Sequence, residues 1–132
     1  MIRNSFKARL VYGLVLYLAG AAHHEIVQGV SNTPQGMLVY HASAAATDFL
    51  LLVCASSVLK RRLLDDMQVL CLLSMIVNFA GWLLYMAWTP PTYYNTSIEV
   101  LTYVQYARLF TMDLYGIDRA GGYLFRGHDL GR

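Results

Sequence analysis

The sequence predicts an all-α membrane protein in which four transmembrane helices form an antiparallel bundle. The first observation is composition: 57% of the 132 residues are apolar and 14% are charged, whereas about a quarter of the residues in a soluble domain are charged. The second is a series of four apolar stretches, each close to the ~20 residues that cross a bilayer. The third is that lysine and arginine are confined to every second segment between these stretches, counting the two chain ends. We therefore treat residues 1–132 as a single membrane domain.

The four predicted spans cover residues 10–30, 37–59, 67–88 and 98–115, and a polar tail follows at 116–132. The third is the clearest, because residues 69–88 carry no charge and Trp82, Tyr85 and Trp88 gather at one end, as interfacial aromatic residues do. Pro90 and Pro91 cannot continue that helix. Turn-forming residues at 31–36 predict a short loop, and residues 60–66 read as a charged hairpin.

Lysine and arginine occur before span one, between spans two and three, and after span four, while residues 31–36 and 89–97 contain neither. Cytoplasmic loops carry the excess of positive charge in membrane proteins. This pattern predicts that both termini are cytoplasmic. It also supports an even number of spans, because an odd number would place one positive cluster on the opposite side.

Span one allows a second interpretation. A basic stretch that ends at Arg9, an apolar run at 10–18 and small residues at 19–22 resemble a secretory signal peptide with a cleavage site. We favour a retained helix, because the helix can extend past the polar residues at 23–25 into Ile26, Val27 and Val30.

Span four also allows a second interpretation, because it contains Glu99, Gln105, Arg108 and Asp113. A charge at a helix centre costs at least about 2.5–3.5 kcal/mol on insertion scales. This helix either packs inside the bundle with a partner for Arg108 or lies flat on the membrane, held by its tyrosines.

Three polar residues, Asp48, Asn78 and Arg108, fall at similar depth in spans two, three and four. We expect Asp48 and Arg108 to form a buried ion pair with Asn78 hydrogen-bonded nearby, because an unpaired arginine at that depth is costly. Such a network fixes the register of packed helices. The alternative is a proton or ion relay, since ionisable residues inside a membrane are candidate functional groups.

A second set of polar residues lies near the opposite ends of the spans from the lysines: His23, His24, Glu25, His41 and Glu99. Imidazole and carboxylate groups suit transition metals, and paired histidines suit haem. The spacing matches no metal motif, because adjacent histidines on a helix point in different directions. We therefore predict interfacial histidines, with no metal and no cofactor, and keep metal or haem binding as an alternative.

The sequence lacks the motifs of common catalytic and nucleic-acid-binding sites. It contains no nucleophile triad, no phosphate-binding glycine loop and no HExxH helix, so we predict that it is not an enzyme. A net charge of +2 with dispersed positive residues also argues against nucleic acid as a partner.

Residues 40–51 (YHASAAATDFLL), 77–91 (VNFAGWLLYMAWTPP) and 103–109 (YVQYARL) resemble small polytopic membrane proteins encoded in tailed-phage and prophage genomes. The resemblance covers roughly residues 38–110. It implies a bacterial inner membrane and a role as a holin, in superinfection exclusion or in modulating a host membrane protein. The implied partners are the lipid bilayer and either a second copy or a host membrane protein. Against a holin, holins usually carry fewer spans and a densely charged tail, so a proton-conducting or haem- or metal-binding subunit remains the alternative.

Overall fold

The computed structural model describes residues 6–110, apart from the side chain of Arg61, and these residues form four α-helices. They are α1 (Phe6–Val27), α2 (Pro34–Val58), α3 (Arg61–Met86) and α4 (Thr92–Phe110). Each helix packs against the next, and α4 packs back against α1, so the four form a closed ring. Short connections make neighbours antiparallel. The predicted all-α four-helix bundle is confirmed.

Three of these helices, α1, α2 and α3, are long and apolar enough to cross a membrane. The less apolar α4 packs along α3: its first turn reaches Asn78 through Tyr94, and its last turn reaches Asp66 through Arg108. Because these contacts lie near opposite ends of α4, the helix runs along the bundle. This packing favours the first of the two interpretations of span four.

The end of the bundle that contains Leu59 and Lys60, here called the hairpin end, has a shorter turn than predicted. The sequence predicts a charged hairpin at residues 60–66, but α3 begins at Arg61. The Leu59 N–H donates to the Ala55 carbonyl, so only the Leu59–Lys60 pair separates the two helices. Charge marks where a helix leaves lipid, but it does not end the helix, because arginine and leucine are good helix formers.

The opposite end, here called the loop end, carries the two longer connections, 28–33 and 87–91. Helix α2 begins at Pro34 rather than at Met37, because the Thr33 hydroxyl accepts the Gly36 N–H at 3.2 Å and proline suits the first helical position. Helix α4 begins at Thr92, directly after the prolines and earlier than residue 98. Residues 111–115 of predicted span four and the tail at 116–132 lie outside the described residues.

The interior of the bundle is formed by inward-facing residues that are spaced three and four apart along each helix. In α2 the inward stripe is His41, Ala44, Asp48, Leu51 and Ala55. Helical spacing in the sequence predicts that His41, Ala44, Ala45, Asp48 and Leu52 share one inward face, and the structure buries three of these and leaves Ala45 and Leu52 half-buried. Two apolar clusters close the hairpin half of the bundle. The first contains Tyr12, Ala55, Leu59, Leu63, Met67 and Leu109, and the second contains Leu16, Leu51 and Cys71.

The surface and the interior have the reverse of the usual polarity. Large apolar side chains lie exposed on the outward faces, among them Leu14, Leu18, Phe49, Leu50, Val69, Leu72, Ile76 and Phe79. Within residues 6–110, the buried polar side chains are Arg9, His41, Asp48, Ser74, Asn78, Gln105 and Arg108. A soluble domain keeps most charged side chains at its surface. This distribution suits a bundle surrounded by lipid, where polar groups face the bundle interior.

Candidate functional site

A buried chain of hydrogen bonds joins three helices. The Tyr94 hydroxyl donates to Oδ1 of Asn78 at 2.6 Å, and Nδ2 of Asn78 donates to Oδ2 of Asp48 at 2.8 Å. All three side chains are buried. The structure therefore joins two residues of the predicted polar network, Asp48 and Asn78, and it adds Tyr94, which the sequence analysis did not single out. Tyr94 lies about three helical turns before Gln105, so the inward stripe of α4 includes it once the helix is extended to Thr92.

Arg108 does not belong to this chain, and the predicted ion pair between Asp48 and Arg108 is wrong. Its Nε contacts Oδ2 of Asp66 at 2.6 Å, with the arginine side chain buried and the aspartate about a third exposed. The error came from the helix boundaries. With α4 beginning at Thr92, Arg108 falls in the last turn rather than near the middle, and Asp66 lies in a helix rather than in a loop.

A second buried arginine supports the same end of the bundle. NH1 of Arg9 donates to the Leu109 carbonyl at 2.7 Å, and the Arg9 side chain is buried. A hydrogen bond from a charged guanidinium is stronger than one from a neutral donor. Arg9 thus ties the first turn of α1 to the last turn of α4. The sequence analysis, which treats Arg9 as the end of a basic stretch, does not predict this contact.

His41 lies at the loop end of the bundle, enclosed by aromatic rings. Its imidazole meets the Tyr94 ring edge-to-face with centroids 4.6 Å apart, and the Tyr40 ring at 5.1 Å. Gly81 of α3 makes this approach possible, since a Cβ there would come within 2.7 Å of Cε1 of His41 and would also clash with Tyr94. The side chain is 4% exposed, and its Nδ1 has no hydrogen-bond partner.

A cavity of about 730 Å³, here called the loop-end cleft, opens beside His41. Its walls come from α2, α3, the first turn of α4 and both connections, and include Met37, Tyr40, His41, Gly81, Tyr85 and Tyr94. Trp88, Pro90 and Pro91 line it from the connection between α3 and α4. Because Tyr94 belongs both to the cleft and to the hydrogen-bonded chain, polar contacts run without a break from the middle of α2 to the cleft wall.

The other residues of the predicted polar set do not converge on His41. His23 meets the Tyr40 ring with centroids 5.2 Å apart, and its Nδ1 lies 3.3 Å from the Ser43 hydroxyl. Tyr40 therefore stands between the two histidines. Three members of the set, His24, Glu25 and Glu99, are exposed on the outward surfaces of α1 and α4.

The described part of the chain contains no set of side chains arranged as a metal site. Within residues 6–110, no group of three or more histidine, cysteine, aspartate or glutamate side chains is placed to hold a metal ion. Cys54 and Cys71 are both free thiols, and Cys71 lies 3.6 Å from the Tyr12 hydroxyl in the core. The Cys71 sulfur is thus packed in the interior of the bundle.

The sequence matches no protein-family model, and neither a curated protein nor a solved structure is similar to it. The resemblance to phage-encoded membrane proteins stays a prediction. The function is therefore inferred from the geometry of the bundle.

Proposed function

We propose that this chain is a small integral membrane protein of the bacterial inner membrane that acts through contacts of its helices with lipid and with other membrane proteins. The supporting observation is the reversed polarity of the bundle: the outward faces are apolar, while Asp48, Asn78 and Arg108 are buried. Exposing such an apolar surface to water is unfavourable, whereas lipid tails or the apolar face of another membrane helix can cover it. No catalytic step forms part of the proposal.

In this proposal both termini lie in the cytoplasm. Lys60 and Arg62 stand at the hairpin end, while the connections 28–33 and 87–91 contain no lysine or arginine. Positive charge is retained on the cytoplasmic side during insertion. The loop end with its cleft then faces the periplasm.

The proposed role is of the phage type, either a holin-like lesion or superinfection exclusion. One bundle is filled at its hairpin half, where Tyr12, Leu59, Met67 and Leu109 are almost completely buried. A lesion therefore requires several copies arranged around a common space, and exclusion requires contact with a host membrane protein. Both act through the outward faces.

The test is inducible expression of the full chain in bacterial cells with two measurements: entry of a membrane-impermeant dye, and plaque formation by a challenging phage. We expect at least one to change. We then expect tryptophan at outward positions such as Leu72 and Ile76 to remove the effect along one helix face while the amount of protein in the membrane stays constant. Full membrane levels with neither dye entry nor exclusion would contradict the proposal.

A proton-conducting role is the second candidate, because Asp48 is hydrogen-bonded to a neutral amide rather than to a cation and is linked to the cleft. Packing of Leu16, Leu51 and Cys71 on the hairpin side of this chain closes a continuous path through one bundle. We therefore rank it below helix contacts. Proton flux in proteoliposomes that disappears in Asp48→Asn but survives in Asp65→Asn would reverse the order.

A further inference from the structure

We propose that the loop-end cleft binds a neutral, lipid-soluble molecule with a flat, oxygen-bearing ring, of the quinone class, and that the His41 imidazole hydrogen-bonds the ring oxygen. This site is independent of how the outward faces act. It rests on the size of the cleft, the absence of charge in its lining, the state of His41 and the conformation of Trp88.

The size and lining of the cleft suit a small molecule. Its volume of about 730 Å³ lies within the roughly 300–1,000 Å³ of small-molecule sites, which are lined mainly by apolar and aromatic residues with a few polar groups. Tyr40, Tyr85 and Tyr94 supply aromatic surface, and Met37 and Leu84 supply flexible apolar walls. Aromatic side chains pack favourably against a flat ring.

The charge of the lining selects a neutral ligand. None of the side chains that line the cleft is an aspartate, glutamate, lysine or arginine, and residues 31–36 and 89–97 contain no lysine or arginine. A phosphate or carboxylate entering here would lose water without gaining a counter-charge, which is costly. An ionised lipid headgroup is therefore a poor occupant, and an uncharged ring with an apolar tail is a good one.

His41 supplies the polar contact that gives the cleft its specificity. Its side chain is 4% exposed and its Nδ1 is buried without a hydrogen-bond partner. Leaving such an atom unsatisfied is costly. Because His41 lines the cleft, a rotation of its imidazole that presents this nitrogen to a ligand oxygen would remove that cost. A neutral imidazole carries one donor and one acceptor nitrogen, so it suits either a quinone carbonyl or a quinol hydroxyl.

Trp88 is held at the mouth of the cleft in an unfavourable backbone conformation. Its φ is 59°, in the left-handed region where a helix usually ends in glycine, and its side chain is 95% exposed. The Trp88 N–H donates to Tyr85 and the Thr89 N–H to Leu84, so two hydrogen bonds fix this helix end. A strained residue that lines a cavity indicates a functional constraint, and the Trp88 indole, which is almost fully exposed, is available to pack against an entering ring.

The experiment measures decylubiquinone bound to the full-length protein in lipid nanodiscs, as the excess over empty nanodiscs, by chromatography of the extracted quinone. We expect saturable binding of about one molecule per chain, as one cleft allows. Met37→Trp fills the cleft and should weaken binding at least about tenfold, as should His41→Phe, which keeps a ring but removes the hydrogen bond. Leu38→Trp adds the same bulk on the exposed side of α2 and should bind like the original chain.

The comparison of Met37→Trp with Leu38→Trp keeps the test decisive even if His41→Phe fails to fold. Decylbenzene, which has the same tail and a ring without oxygen, should not displace the quinone. Four results would overturn the proposal: excess quinone that does not saturate, equal binding by the two tryptophan variants, unchanged affinity in a folded His41→Phe, or equal competition by decylbenzene or phosphatidylglycerol.

Discussion

At the scale of single residues, Asn78 is the point at which the interior polar contacts of three helices converge. Its amide nitrogen donates to Asp48 and its amide oxygen accepts from Tyr94, and the side chain is 2% exposed. Lipid offers no substitute partner when one of these groups is removed. The energetic effect of a substitution here therefore depends on the partner that it leaves unsatisfied.

Replacing Tyr94 by phenylalanine removes one hydroxyl and leaves the Asn78 oxygen without that donor. We expect Tyr94→Phe to lower the free energy of unfolding by about 1 kcal/mol, a typical value for hydrogen bonds between membrane helices. The measurement is steric trapping or denaturant titration in detergent. Tyr93→Phe is the matched control, since Tyr93 is exposed, and it should have no effect. Equal losses in the two variants would show that the Tyr94–Asn78 hydrogen bond does not contribute.

The partner of Arg108 is tested by double-mutant cycles. We expect Asp66→Asn and Arg108→Gln to be non-additive, with a coupling of up to about 1 kcal/mol because Asp66 is partly exposed. The cycle of Arg108→Gln with Asp48→Asn should be additive within about 0.5 kcal/mol. Asp65→Asn, at the exposed neighbouring position, is the control. Strong coupling to Asp48 would restore the ion pair that the structure contradicts.

At the scale of helices, close approach depends on glycine at two crossings. Gly81 lets α3 accept the rings of His41 and Tyr94, and Gly13 of α1 lies against Phe110 and Leu109 of α4. Small residues at helix contacts permit this approach in membrane bundles. Gly20 of α1 has no such role, since nothing lies within 4 Å of the place of a Cβ there.

The packed position Gly81 and the open position Gly20 predict different effects of substitution by alanine. Gly81→Ala should destabilise the bundle by about 1–3 kcal/mol, because the added methyl displaces two packed rings. Gly20→Ala should be neutral or stabilise α1 by up to about 1 kcal/mol through helix propensity. Both are measured as the free energy of unfolding in detergent. A Gly81→Ala variant as stable as Gly20→Ala would mean that α2, α3 and α4 are not packed this closely.

The end of α3 gives a prediction about backbone strain. At Trp88, which has a φ of 59°, glycine adopts the left-handed conformation freely and alanine does not. We therefore expect Trp88→Gly to be more stable than Trp88→Ala by about 1 kcal/mol. Comparing these two variants removes the contribution of the indole, which both lack. Higher thermal stability of the alanine variant would contradict the assigned conformation.

At the scale of the whole molecule, two kinds of surface surround one interior. The outward faces are apolar, whereas the two ends differ in charge, with Lys60 and Arg62 at the hairpin end and no lysine or arginine in the connections at the loop end. The apolar faces place the bundle in a membrane, and the difference between the ends sets its proposed direction.

Cysteine labelling tests this direction in intact bacteria. We expect Asn32→Cys, at the loop end, to react with a membrane-impermeant maleimide, and Lys60→Cys to react only after lysis, because positive residues stay on the cytoplasmic side. The original chain, whose thiols at Cys54 and Cys71 are half-buried and buried, gives the background. The reverse pattern would invert the bundle, and equal labelling before lysis would show that α2 does not cross.

The sequence by itself determined the all-α class of the protein, the four helices found within residues 6–110 and most of the inward face of α2. Hydropathy and helical periodicity depend on residues close in sequence. The face that carries His41, Ala44 and Asp48 can therefore be predicted without knowing which helix it packs against. The same local information placed helix ends less well, because it equated the limits of apolar stretches with the limits of helices. Helix α3 accordingly begins at Arg61 rather than at residue 67.

Only the tertiary structure decided which polar groups meet. A hydrogen bond needs its partners within about 3 Å, whereas one helical turn shifts a side chain by about 5.4 Å. An error of a few residues in the start of α4 is therefore enough to assign Arg108 to Asp48 instead of Asp66, and to miss the contact between Tyr94 and Asn78. The cleft is decided at the same level, because its walls come from three helices and two connections that no local pattern relates.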